Sequence, residues 1–162
     1  MSSIKAVDAA PEMIDRYKTN IDSFGLAPGK VEAVVGNLLS DPPSLVGEEY
    51  RGFDLITVGA ALHHFPSAAD AVRLLAERLK PGGVLYIQDL HTSHDEHGAA
   101  KSNGDGKRPY GYEEADVRGF MHKAGLSDFK FEKLPGDLKI ELPNQEVLDF
   151  ECFIARGARV II

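Results

Sequence analysis

Residues 51–66, RGFDLITVGAALHHFP, constrain the fold more than any other stretch of the chain. Asp54 leads an apolar run over residues 55–58, of the length of a strand, and Gly59, Ala60 and Ala61 follow it. Three small residues in a row let a ligand come close to the backbone. The run is therefore expected as the buried central strand of an α/β sheet. His63, His64 and Phe65 fall just past its carboxyl end, which is where open parallel sheets bind their ligands.

The segments on either side read as alternating strands and helices. Residues 4–7 form a short strand closed by Asp8. Pro11 suits a first helical turn, and Met13, Ile14, Tyr17, Ile21 and Phe24 recur at helical spacing until Gly25. Residues 31–35 give a second strand, ending at Gly36 and Asn37, and residues 39–52 a connector with a short helix expected over 44–49. Beyond the histidines, Ser67 is an N-cap candidate for a helix through Leu79. Pro81, Gly82 and Gly83 then stop that helix ahead of a strand over 84–88, closed by Asp89. This alternation builds a parallel sheet.

After Asp89 the pattern changes. Residues 91–109 are polar and without periodicity, as in a surface loop or lid. Val117, Phe120, Met121 and Ala124 mark a helix from about Glu113 to Gly125. Phe129 and Phe131, and then Phe150, Cys152 and Ile154, alternate as strands do. Pro135, Gly136 and Pro143 between them leave no good helix, so the last two strands are expected to be antiparallel neighbours.

Composition excludes several function classes. The 162 residues are expected to form a single domain, and 43% hydrophobic with 27% charged residues is the ordinary globular range. A formal charge of −7 lacks the basic face that displaces counterions, so no nucleic-acid partner is expected. No apolar stretch approaches the ~20 residues that span a bilayer, and residues 1–5 have no signal-peptide pattern. Cys152, as the single cysteine, rules out an internal disulfide and fits a reducing, cytoplasmic setting. His91, His94 and His97 repeat every three residues beside acidic side chains. A loop could fold such a set around zinc, but the surrounding composition favours a solvated run, so no metal is expected.

Taken in order, several features resemble the class I S-adenosylmethionine-dependent methyltransferases of the small-molecule group. They are Asp8 closing a strand, Gly36-Asn37-Leu38 closing the next, FDLITVGAALHHF, LKPGGVLYIQD, a helix ending in AGL, and two last strands ending in FIARG. The resemblance runs over roughly residues 4–157 and implies a Rossmann-like α/β sheet with an antiparallel C-terminal hairpin. It implies S-adenosylmethionine as cofactor and a small molecule as methyl acceptor. Asp8 would accept the ribose hydroxyls, although an Asp there can also cap the following helix. Asn37 and Leu38 would face the adenine, where the family more often has Asp than Asn, and Met13 could lie against the adenine face or simply be core. Gly59 and Ala60 would border the sulfonium and methyl. His63 or His64 could deprotonate the acceptor, or one ring could stack on cofactor or pack under the loop. The loop after His91 would help select the acceptor.

The chain departs from the family at its front. A complete member begins with a strand, a GxGxG turn and a helix before the Asp8 strand, and no such turn occurs in the sequence. The domain is therefore expected to be truncated, lacking its first strand and helix. Three accounts compete: a shortened form of a working enzyme, direct pairing of the two inner strands, or a unit supplied by another polypeptide. A catalytically inactive methyltransferase-like subunit is the alternative function, and either homo- or hetero-oligomers are compatible with it. A nicotinamide dehydrogenase would suit Asp8 but not the absent GxGxxG or the antiparallel end.

Overall fold

In the computed structural model, residues 3–25, 29–42, 44–91, 111–141 and 147–160 are described. The chain separates into two compact units, residues 1–48 and 49–162. In the first, β1 (Ile4–Asp8) and β2 (Val31–Val35) pair in parallel, Asp8 opposite Val35, and α1 (Pro11–Ser23) connects them. The helix begins and ends as its proline and glycine signals require. Of the five apolar residues that recur at helical spacing only Ile14 is buried, whereas Met13 is 47% exposed and Phe24, just past the helix, 77%. Helical spacing selects a face of α1, but a two-stranded ladder offers little area to cover it.

The second unit holds β3 (Phe53–Gly59), α2 (Ala68–Ala76), β4 (Leu79–His91), α3 (Glu114–Lys123), β5 (Leu126–Glu141) and β6 (Val147–Arg159). Its sheet runs β3-β4-β6-β5, with β3 parallel to β4 and β6 antiparallel to both β4 and β5. The expected antiparallel end is present. On β4, Leu85 and Ile87 are fully buried at period two. They form a core with Val72 of α2, Val117 and Met121 of α3, and Phe153 of β6. Gly157, opposite Leu85, lies under α3, where a Cβ would stand 3.0 Å from the Met121 sulfur.

Several expectations are corrected. The apolar run of β3 is not a buried central strand: it occupies the edge of its sheet, Leu55 is 56% exposed, and Val58 alone on it is buried. A short apolar run specifies a strand, not how many neighbours it has. In place of a helix over 44–49 there is a 3-10 turn, Glu48–Tyr50. The helix capped by Ser67 stops at Ala76, not Leu79, because β4 already starts at Leu79 and pairs with Phe53. Pro81, Gly82 and Gly83 sit in the register shift that follows, a bulge rather than a helix stop.

His91 is the last residue of β4, and not part of a loop. Residues 92–110, with His94 and His97, lie outside the described residues. The last two strands are far longer than expected. β5 carries Pro135 and Gly136 within a second register shift, which a strand at a sheet edge tolerates.

Candidate functional site

The turn that follows β3 is built around one buried carboxylate. Ala60 turns the chain with φ of 48°, and its N–H donates to the Gln88 carbonyl at 2.8 Å. A 3-10 turn, Leu62–His64, comes next and buries Leu62 completely. Asp89, 1% exposed, meets this turn from the neighbouring strand. Its Oδ2 accepts from the Leu62 N–H at 2.7 Å and the His63 N–H at 3.4 Å, and its Oδ1 accepts from the Leu90 N–H at 2.7 Å. The His63 Nδ1 stands 2.5 Å from the same Oδ1. A buried carboxylate is costly without such partners.

The turn is tied on its other side as well. Tyr112 donates from its hydroxyl to the Leu62 carbonyl at 3.2 Å and from its N–H to the Leu90 carbonyl at 3.0 Å. Its ring meets Phe120 of α3 edge to face at 5.6 Å. Gly111 allows this approach: with φ of 119°, a Cβ there would lie 2.8 Å from the Leu90 oxygen. Asp89 and Tyr112 are the residues that sequence reading missed. The signal for Asp89 was present, because the carboxyl ends of two parallel neighbours lie side by side, and Asp89 follows Gln88, the partner of Gly59. Tyr112 gave no such signal, since it follows a long non-periodic stretch.

Two histidines with different surroundings result. The His63 side chain is 11% exposed, whereas His64 is exposed, and their rings lie 4.0 Å apart at 44°. Gly59 and Ala60 are exposed, and a Cβ at Gly59 would meet open space, so the backbone there is approachable. Nearby, burial first and the Asp89 charge second push the Cys152 thiol up, which favours its protonated form. His91, 8% exposed, places Nδ1 3.0 Å from a Glu151 carboxylate oxygen. Lys133 and then His91 hold that carboxyl below its ordinary value. Among the described residues no three metal-ligating side chains cluster.

In the first unit, Asp8 and Asn37 sit at the adjacent carboxyl ends of β1 and β2, joined by the Gly36 N–H to the Asp8 carbonyl at 2.9 Å. The exposed Asp8 carboxylate accepts from the Ala10 N–H at 2.8 Å, which helps start α1. The Asn37 side-chain oxygen accepts from the Leu39 N–H at 2.9 Å, and its backbone is held by Ser44 on both N–H and carbonyl. Leu45 packs close over Gly36, where a Cβ would stand 2.6 Å from its side chain and would displace it. Leu38 is half-buried and Met13 exposed. The residues of the first unit that sequence reading singled out are thus gathered at one strand edge, Met13 lying on α1, and those of the second unit in one turn. A groove of about 760 Å³ between α3 and the start of β5 contains none of them.

Known proteins give the same fold. A methyltransferase domain model matches residues 2–85, just over half of the chain. The ubiquinone biosynthesis O-methyltransferase of Xanthomonas campestris pv. campestris (strain B100) is 28% identical over 91 residues, covering 56% of this chain and 35% of that protein. The chain thus spans about a third of the length of the curated relatives it matches. Among solved structures, the YcgJ protein of Bacillus subtilis superposes with a TM-score of 0.69 at 16% identity, over 98% of this chain and 83% of that one. A SAM-dependent methyltransferase from Methanosarcina mazei does so at 0.67 and 19% identity, over 99% and 83%. By its matched domain and its fold, the chain belongs to the class I S-adenosylmethionine-dependent methyltransferases.

Proposed function

We propose that the chain takes part in S-adenosylmethionine-dependent methyl transfer to a small-molecule acceptor. The observation that carries this reading is the turn after β3: exposed backbone at Gly59 and Ala60 beside a histidine pair, pinned by Asp89 at the ends of two parallel strands. Each unit, taken by itself, offers groups suited to part of the cofactor. Open space over Gly59 admits a bulky group, and the exposed Asp8 carboxylate suits paired hydroxyls. Bound S-adenosylmethionine supplies an already activated methyl on its sulfonium.

The protein then has little to add beyond in-line positioning and exclusion of water. Asp8 would hold the ribose, Asn37 and Leu38 the adenine with Met13 near its face, and Gly59 and Ala60 the methyl end. His63 or His64 would take the proton of a hydroxyl or amine acceptor. The kinship with a quinone-pathway O-methyltransferase supports a small acceptor. No described helix is long and apolar enough to cross a membrane. Thermal unfolding with S-adenosylhomocysteine at about a hundred times its Kd should add about 2.7 kcal/mol, a rise of several degrees. A cooperative transition that stays in place rejects the reading.

A second reading, a methyltransferase-like subunit without its own catalysis, is favoured by Asn37, whose side-chain carbonyl is already engaged by Leu39. It is favoured also by β3, whose outer edge has no strand partner among the described residues. Such a subunit should co-purify with a stoichiometric partner. A lone chain that methylates an acceptor excludes it.

A further inference from the structure

Resting on the methyl-transfer reading, we infer that Asp89 is the positioning residue of the turn after β3, holding His63 with its proton on Nδ1 so that Nε2 is the ring nitrogen that accepts a proton. Every backbone group on the Asp89 carboxylate is an N–H donor: Leu62 and His63 on one oxygen, Leu90 on the other. Its oxygens therefore act as acceptors throughout, and the imidazole nitrogen 2.5 Å from Oδ1 must be a donor. In a neutral imidazole the other nitrogen then carries the lone pair. That assignment follows from the Nδ1 contact alone, whatever Nε2 faces.

The fold gives Asp89 little freedom to do otherwise. It lies between Gln88, the last residue of β4 paired with β3, and Leu90, and it pairs with Phe153 of β6, so its backbone is held in the sheet at the point where the turn after β3 begins. The same carboxylate shapes the backbone of the turn, so ring and turn are oriented by one group. Tyr112 closes the arrangement from the Leu62 carbonyl. His64, exposed and with its ring 4.0 Å from that of His63, has no carboxylate partner among the described residues. Of the two histidines, His63 is the one whose tautomer the protein sets, as a proton acceptor in catalysis requires.

Long-range nitrogen–proton correlation spectra of the labelled full chain, recorded above the imidazole titration, read this directly. His63 would be assigned through His63→Gln. The expected pattern is a protonated Nδ1 and an unprotonated Nε2. The opposite tautomer, or the averaged pattern of two in exchange, overturns the assignment. In Asp89→Asn the amide can donate to Nδ1, and the proton should move to Nε2. An unchanged tautomer in a folded Asp89→Asn also overturns it, and should that variant not fold, the wild-type spectrum still decides. Addition of S-adenosylhomocysteine to the same sample separates the two layers. A fixed Nδ1–H tautomer with no response of the amide spectrum rejects the methyl-transfer reading, and with it the purpose given to Asp89. A response with the wrong tautomer rejects Asp89 and leaves methyl transfer standing.

Discussion

Asp8 ends β1 and Asp89 lies two residues before the end of β4, each on a strand of a parallel pair, yet the structure treats them in opposite ways. Asp89 is buried and takes three backbone N–H donors and an imidazole; Asp8 is exposed and takes one N–H, from Ala10. The first carboxylate organises the protein itself. The second, exposed, has one backbone donor and organises only the start of α1. A carboxylate at a strand end is thus not one kind of site, and what distinguishes the two is how many donors the neighbouring turn turns inward.

Substitution should separate the two by stability first. Asp89→Ala strands the Leu62 and Leu90 amides and a largely buried imidazole, and should cost about 3–5 kcal/mol in denaturant unfolding. Asp8→Ala removes one exposed contact and should cost no more than about 1 kcal/mol, while lowering affinity for S-adenosylhomocysteine by roughly ten- to a hundredfold. Equal stability losses would erase the distinction, and so would an Asp8→Ala chain with undiminished affinity.

Tyr112→Phe sharpens the comparison from the other side of the turn. It deletes the hydroxyl donor to the Leu62 carbonyl but keeps the ring against Phe120, and should cost about 0.5–1.5 kcal/mol. A loss as large as that of Asp89→Ala would shift the organising role to Tyr112.

A third carboxylate, Asp54 at the exposed start of β3, sets the lower limit. A hydrogen bond from Lys80 and then its charge hold the Asp54 carboxyl below its ordinary value. With the folded value depressed, its contribution is present above the ordinary carboxylate range and is lost as the pH falls through the folded value. Asp54 is fully exposed, so Asp54→Asn should scarcely change stability at neutral pH, with the small wild-type advantage disappearing in acid. A large effect would mean that exposure does not order the three carboxylates.

Much of this molecule is legible in its sequence. The strand over 55–58, the Ser67 cap, the helix that follows Glu113 and the antiparallel pairing of the last strands all follow from local signals, because period, cap chemistry and turn residues act over a few neighbours. The family resemblance also lies in the order of such local pieces. Other features depend on partners distant in the chain. Nothing in Leu55 itself says that β3 lies at a sheet edge, nor does anything in Pro135 reveal that β5 runs through it. The contact between Asp89 and His63 spans 26 positions and arises only when β3 and β4 lie side by side. Residue types and their spacing determined which groups this chain could use for chemistry; strand pairing decided which carboxylate was spent on the fold and which was left exposed, because only neighbouring strands bring donors to a buried charge.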